Sequence, residues 1–237
     1  ELLTTFLHQV PNDKPEVILD NYYTNEPITI SLNLVLSPSQ NAQRYFHRYQ
    51  KLKQAVKFLG DQIANTKQTI SYLESVKANL THADVVEIAD IREELIQTGF
   101  VKAKYRNNKK QKMLPPEKYQ AEDGTIILVG KNNLQNEQVS FKLSRKGDLW
   151  FHVKDIPGSH VLITGNANPS DETITFAGEL AAYFSKARYS NLVQVDMIDV
   201  KKLHKPTGTP PGFVTYTGEK TIRVTPDETI IKNAKIK

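Results

Sequence analysis

Residues 149–164 read LWFHVKDIPGSHVLIT, and this stretch decides the fold of the second half of the chain. β-prone apolar and aromatic residues lie on both sides of Pro157-Gly158, a dipeptide typical of turns. The pattern predicts two strands, residues 149–154 and 160–164, that pair around this turn. The stretch therefore predicts the centre of a sheet.

The first of these strands also carries the chemistry that the sequence offers most clearly. Side-chain alternation places Trp150, His152 and Lys154 on one face of the strand. An aromatic ring, an imidazole and an ammonium on one face suit stacking on a nucleobase beside a held phosphate, so we predict a nucleic-acid-binding face. Taken alone, Trp150 favours a core position, and His152 would then be a half-buried histidine with its hydrogen bonds satisfied.

Further elements extend this sheet outward. A helix over residues 175–188 carries small side chains that would let it sit close on a sheet, namely Ala177, Gly178, Ala181 and Ala182. Additional strands are predicted at residues 125–129, 138–143, 193–200, 212–216 and 221–224. Residues 113–237 therefore predict a compact, mainly antiparallel α+β domain.

A long helical pattern precedes this domain. Residues recur in steps of four and three, which is typical of a coiled-coil seam. The seam consists of Tyr45, Tyr49, Leu52, Val56, Leu59, Ile63, Thr66, Ile70, Leu73, Lys77 and Leu80. After a break at residues 81–84, a second apolar stripe predicts another helix, which Gly99 ends. We predict an antiparallel coiled-coil hairpin over residues 41–112, although a lone helix with this seam could instead dimerise.

The beginning of the chain is short and extended. Residues 15–36 predict one β-hairpin, which is too small to fold alone. We therefore interpret residues 1–40 as the end of a domain whose main body lies upstream. Since the first residue is Glu1, we expect the chain to be a fragment of a longer protein. The predicted order is this hairpin, the coiled-coil arm and the α+β domain.

Positive charge concentrates in the middle of the chain. The 237 residues carry a net charge of +5, but residues 43–112 alone carry +7. The densest run, residues 101–112, contains six basic residues and no acidic one. Such a run attracts a polyanion, most plausibly nucleic acid, although a solvated linker has the same composition. A second basic group precedes a Gly/Pro-rich loop and consists of Lys201, Lys202, His204 and Lys205.

Several classes of protein are excluded by composition and motif. The chain has no cysteine, which excludes disulfides, thiolate zinc sites and cysteine nucleophiles. It contains no Gly-x-Ser-x-Gly elbow, no His-Glu-x-x-His pair and no Walker or Rossmann glycine pattern. No apolar run approaches the ~18 residues of a membrane span. We expect a binding protein rather than an enzyme, with no cofactor and no metal.

Five motifs in the second half resemble the NFACT-R domain, and the stretch at residues 36–46, LSPSQNAQRYF, resembles the entry to the coiled coil of the same family. The resemblance covers essentially the whole chain and identifies it with the NFACT family, whose bacterial members include ribosome quality control factors and fibronectin/fibrinogen-binding proteins of Gram-positive cocci. The five motifs are GKNN at 130–133, DLWFH at 148–152, PGSH at 157–160, AAYFSK at 181–186 and KPTGTPPG at 205–212.

This resemblance implies a function in ribosome quality control. Family members bind the stalled large ribosomal subunit and tRNA, and support C-terminal alanine tailing of the nascent chain in the cytoplasm. The Asp-Arg pair tied to tRNA recruitment belongs to the N-terminal domain of the family. The alternative that the family implies is a surface adhesin for host fibronectin or fibrinogen, at the cell surface without a signal peptide.

Twelve residues are the predicted RNA contacts. They combine the basic run, the strand face, the neighbouring histidine and the second basic group. The set is Lys102, Lys104, Arg106, Lys109, Lys110, Lys112, Trp150, His152, Lys154, His160, Lys202 and Lys205.

Overall fold

The computed structural model describes residues 1–103 and 113–236, without the side chain of His82. The chain forms two compact units, residues 1–66 and 67–237. The boundary between them lies inside one long helix, α2 (Pro38–His82).

The first unit contains the predicted hairpin. Strands β1 (Glu16–Asn21) and β2 (Glu26–Ser31) pair antiparallel, which confirms that prediction. The turn between them passes through Asn25 at φ 57°, a conformation that asparagine adopts more readily than most residues. A short helix α1 (Leu2–Thr5) and a 3₁₀ turn precede the hairpin, and Leu3 joins Leu19 in its small core.

The predicted coiled-coil hairpin exists only at its closed end. Helix α2 has 45 residues, whereas the next helix, α3 (Val85–Gln97), has 13. Tyr72 and Val76 of α2 pack against Ile91 of α3, so the two helices do run antiparallel there. Because α3 is much shorter than α2, it covers only the last part of α2 among the described residues. The seam residues Leu52, Val56 and Ile63 are 57, 72 and 56% exposed.

The second unit is built on a seven-stranded antiparallel sheet. The strands are β3 (Glu117–Gln120), β4 (Ile126–Val129), β5 (Leu149–Val153), β6 (Val161–Thr164), β7 (Val193–Asp199), β8 (Lys220–Val224) and β9 (Lys235–Ile236). Their order is β8-β7-β5-β6-β4-β3-β9, which places β5 in the interior of the sheet between β7 and β6. The predicted α+β fold with an antiparallel sheet is confirmed.

Helix α5 (Asp171–Tyr183) covers one face of this sheet. Phe151 and Val153 of β5 point into the core beneath it, and both are fully buried. A Cβ at Gly178 would lie 2.8 Å from Cδ1 of Ile222, so the helix approaches the sheet as closely as the small residues predicted. A short helix α6 (Glu228–Asn233) leads into β9.

Two strand predictions are wrong. Residues 138–143 lie mostly in a π-helical turn (Gln138–Lys142) that continues helix α4 (Asn133–Glu137). The Asn132 side chain accepts a hydrogen bond from Gln135 N at 2.8 Å and so starts this helix. Residues 212–216 form no strand either, because a single bridge between His204 and Thr215 is their only sheet-like pairing in the described chain.

Candidate nucleic-acid interface

A pocket of about 310 Å³ opens beyond the C-terminal end of β5. The last turns of α2, the first turn of α4, the turn at residues 155–158 and the loop at residues 210–216 form its walls. Motifs that are far apart in the sequence therefore meet around one pocket in the second unit.

His152 lies half-buried in the wall of this pocket. Its ring stacks on Trp150 with centroids 5.7 Å apart and planes 19° apart, and His160 meets it edge-on at 5.3 Å. Burial lowers the pKa of His152 to about 4, so the imidazole is neutral at neutral pH. A neutral imidazole has one donor and one acceptor, and that of His152 is partly engaged by hydrogen bonds to the backbone of Gly158 and Val153.

Trp150 lies behind His152 and is fully buried. Its Nε1 donates to Ser140 Oγ at 3.0 Å, and that hydroxyl lies 2.7 Å from His160 Nδ1. Because β5 is an interior strand with both faces covered, the predicted stacking of Trp150 on RNA is wrong and the core interpretation holds. His160 is 4% exposed and occupies the same buried layer, and it also lines the pocket.

A buried carboxylate joins the helices to the pocket. Glu94 of α3 is fully buried, and Asn133 N and Nδ2 each donate to it at 2.9 Å. The Tyr72 hydroxyl donates to the same carboxylate at 2.7 Å. Burial raises the pKa of Glu94 above its ordinary value. The carboxylate therefore holds α2, α3 and the start of α4 together on one side of the pocket.

The buried face of α3 is acidic, which the predicted apolar stripe did not anticipate. Val85 and Ile88 of that stripe are 84 and 46% exposed, whereas Glu87, Asp90 and Glu94 are buried. Each carboxylate has a partner: Asp90 accepts from Leu114 N at 3.0 Å, and Glu87 lies 3.8 Å from Lys131 Nζ. Partnered acids can be buried at a position where isolated ones could not.

Asn136 and Gly212 shape the far wall of the pocket. Asn136 Oδ1 accepts from His160 N at 3.0 Å, and Asn136 lines the pocket. Gly212 has φ 74°, and a Cβ there would lie 3.0 Å from Asn133 Oδ1. Glycine is therefore required for the 210–216 loop to approach Asn133 so closely.

The basic contacts that fall within the described residues, Lys102, Lys154, Lys202 and Lys205, lie outside the lining of this pocket. Lys154 Nζ lies 3.4 Å from Asp196 and 3.7 Å from Glu219, and its hydrogen bond to Asp196 raises its pKa. Lys205 pairs with Glu137, and Lys202 donates to Gly218 O at 3.3 Å. Lys102 is exposed, whereas Lys104, Arg106, Lys109, Lys110 and Lys112 lie outside the described residues.

The sequence analysis predicted Lys201 and Lys202 as part of a basic group but missed three basic residues that lie beside them. Lys142, Arg145 and Lys146 are exposed at the end of the π-helical turn. Val200 N donates to Asp148 O at 3.2 Å, so this segment runs beside the exposed Lys201 and Lys202. We call Lys142, Arg145, Lys146, Lys201 and Lys202 the basic ridge. The sequence signal was three basic residues within residues 142–146, which the incorrect strand prediction obscured.

Two family models match successive parts of the chain. The family model for the NFACT N-terminal and middle domains matches residues 1–113, and that for the NFACT protein RNA-binding domain matches residues 117–218. A solved structure, the C-terminal part of the fibronectin/fibrinogen-binding protein of Streptococcus suis, is 65% identical. Its TM-score is 0.80, with 85% of this chain and 81% of that chain covered. The chain belongs to the NFACT family.

Two relatives of this NFACT chain carry functional names. The Rqc2 homolog RqcH of Streptococcus pneumoniae is 66% identical over 236 residues, or 99% of this chain. The Rqc2 homolog RqcH of Bacillus subtilis is 42% identical over 241 residues. The chain spans 43% of the length of the first relative and 42% of the second.

The seven-stranded sheet and the pocket lie mainly within the part matched to the NFACT RNA-binding domain. Across residues 1–103 and 113–236, no helix combines the length and apolar composition that a membrane crossing needs.

Proposed function

We propose that this chain acts in ribosome quality control as part of an RqcH-like factor. It binds the large ribosomal subunit and tRNA in the cytoplasm and supports alanine tailing of stalled nascent chains. The observation that carries the proposal is the 66% identity over 236 residues to the streptococcal RqcH. The match of residues 117–218 to an RNA-binding domain supports the same function.

The basic ridge is the described surface that best suits the phosphate backbone of RNA. Its lysines and arginine are exposed, so they can neutralise phosphates and release counterions. We propose a binding role without catalysis, because His160 is hydrogen-bonded to Ser140 in a buried layer rather than presented with a nucleophile. The ridge would position RNA, as phosphate contacts generally do.

A salt titration of binding to purified large ribosomal subunits tests this function. We expect affinity to fall steeply between low and physiological salt, since each phosphate contact releases counterions. The double variant Lys109→Glu/Lys110→Glu tests the predicted basic run and should weaken binding and reduce the salt slope. Binding that is absent at low salt would contradict the proposal.

Adhesion to fibronectin or fibrinogen is the second candidate. The solved relative that bears that name is 65% identical to this chain and supports the candidate. The two-stranded sheet β1-β2 has open edges, and Ile18 there is 65% exposed, so a partner strand could pair with it. Salt-insensitive binding to immobilised fibronectin, with no affinity for ribosomal subunits, would favour adhesion over RNA binding.

A further inference from the structure

The pocket beside β5 has the charge of a site for a neutral ligand. Among the described residues that line it there is no lysine or arginine, whereas Glu74 and Asp155 contribute carboxylates. Glu74 pairs with Lys186, whose Nζ lies 3.9 Å from the carboxylate. A phosphate would be repelled here, but a group with N–H donors would find acceptors.

The size of the pocket limits the ligand to one small unit. About 310 Å³ lies at the lower end of the range of ligand pockets, which begins at roughly 300 Å³. A single nucleotide is of this size, whereas a folded partner or a long peptide is not. The basic ridge elsewhere on the same domain provides a separate place for the phosphates of a longer strand.

The walls suit a flat heterocycle. Trp150 stacks on the His152 ring and His160 meets it edge-on, and His152 lines the pocket. Pro211 and Phe213 add apolar surface from the 210–216 loop. Asn136 lines the same space, and Glu74 and Asp155 supply acceptors, so apolar surface and polar groups surround one space.

We propose that this pocket takes one unstacked base of a single-stranded RNA. The inference rests on the proposed RNA-binding function and deepens it by naming the site and the base class. Bases with an exocyclic amino group, such as adenine and cytosine, can donate to Asp155 or Glu74. Uracil lacks that amino group and should bind more weakly. RNA bases are commonly recognised this way, splayed out and stacked on aromatic or imidazole rings.

Trp150 provides a direct signal for occupancy, because it is the single tryptophan of the chain and stacks on His152. Labelled RNA hexamers of A, C and U, and an abasic hexamer of equal charge, would be titrated into the 237-residue chain. Anisotropy reports binding of RNA, and tryptophan emission reports the pocket. We expect A and C hexamers to bind about tenfold more tightly than the abasic hexamer and to change the emission.

A variant that fills the pocket distinguishes RNA binding in the pocket from RNA binding elsewhere on the surface. Ser71 is exposed on α2 at the pocket wall, so Ser71→Phe fills the space without removing a described side-chain hydrogen bond. The matched control is Ser190→Phe, at an exposed serine outside this pocket. We expect Ser71→Phe to lose the base-dependent part of the affinity and the emission change, and Ser190→Phe to keep both.

The outcomes distinguish this inference from the function on which it rests. Equal affinity for intact and abasic RNA, with unchanged emission, would overturn the base pocket and leave RNA binding intact. No binding of any RNA would overturn the proposed function itself. An emission change with a lysine-containing peptide but not with RNA would overturn the base assignment in favour of a protein ligand.

Discussion

Polar side chains around the pocket are held by buried hydrogen bonds rather than by exposure to solvent. Ser140 connects Trp150 to His160, and Asn136 accepts from the His160 backbone. Buried polar groups that are satisfied in this way are costly to disturb. At this scale, Trp150 and His160 orient His152, which is the residue that faces the pocket.

Acid should destabilise the fold through these histidines. The pKa of His152 is about 4 in the folded chain, and burial lowers the pKa of His160 as well. An unfolded histidine takes up its proton near pH ~6.5, so between about pH 6.5 and 4 the unfolded state binds more protons. The free energy of unfolding should therefore decrease as the pH is lowered through this range, by up to ~1.4 kcal/mol per pH unit for each histidine.

Urea unfolding at about pH 7, 6 and 5 checks this pH dependence. His152→Gln should reduce the slope, because glutamine does not titrate. His8→Gln, at an exposed histidine of the first unit, is the matched control and should leave the slope unchanged. If stability depends on pH equally in His152→Gln and in the parent chain, the assignment of this pH dependence to His152 is refuted.

Glu94 should be the most sensitive residue of α3. Glu94→Ala leaves two Asn133 donors and the Tyr72 hydroxyl without their acceptor, which should cost ~2–4 kcal/mol of unfolding free energy. Glu94→Gln keeps one acceptor oxygen and should cost less. Among the described residues, the neighbour Glu93 accepts only from Gln97, at 3.2 Å, so Glu93→Ala should change the free energy of unfolding by no more than ~0.5 kcal/mol. Similar losses of unfolding free energy for Glu94→Ala and Glu93→Ala would contradict the stabilising role of Glu94.

At the scale of elements, close approach decides where helices and turns sit. Helix α5 lies near the sheet because its facing residues are small, and α3 turns its acidic side inward because each acid has a partner. Local periodicity predicted the first arrangement. It did not predict the second, since the partners of α3 come from distant segments.

Two glycine substitutions should have opposite effects. A Cβ at Gly130 would lie 2.8 Å from Asn136 N, so Gly130→Ala must displace the backbone of α4 and should cost ~1–3 kcal/mol. Gly60 lies inside α2 with nothing within 4 Å of its Cβ position. Gly60→Ala should therefore stabilise the helix by ~0.5–1 kcal/mol. Thermal unfolding of each variant measures both effects. An unchanged stability of Gly130→Ala would contradict the close approach of Gly130 to α4.

At the scale of the whole molecule, some basic side chains are free to bind phosphates and others are paired with carboxylates. In the basic ridge, Lys142, Arg145 and Lys146 are exposed and have no ion pair among the described residues, although Lys201 lies 3.1 Å from Asp199. Lys154 and Lys205 are each engaged with carboxylates. A lysine that is already paired offers less to a phosphate than a free one does. The ridge is therefore the described surface from which we expect most of the salt dependence of RNA binding.

Reversal of charge on the ridge tests this expectation. Arg145→Glu/Lys146→Glu should weaken binding of single-stranded RNA at least about tenfold and lower the salt slope by ~1.4, about 0.7 for each lost phosphate contact. Lys118→Glu/Lys220→Glu reverses two exposed lysines on other strands and is the matched control. Equal losses in both double variants would show that net charge matters and that the ridge has no special role.

Patterns that depend on neighbours along the chain were predictable. The hairpin of residues 15–36, the strands on either side of Pro157-Gly158 and the small residues of α5 were all recognised in this way. The strand predicted at residues 138–143 failed because the Asn132 cap starts a helix just before it. A short apolar run does not distinguish a strand from a buried helical turn.

The sequence by itself determined the antiparallel α+β domain, the long helix and the family, because alternation, periodicity and motifs are properties of the chain order. Only the tertiary structure decided that Trp150 is buried and that His152 faces a pocket, since this depends on which strands flank β5. It also decided that Glu94 is buried, because its partner Asn133 lies 39 residues away. Burial and hydrogen bonding across such distances are set by packing, which no local pattern encodes.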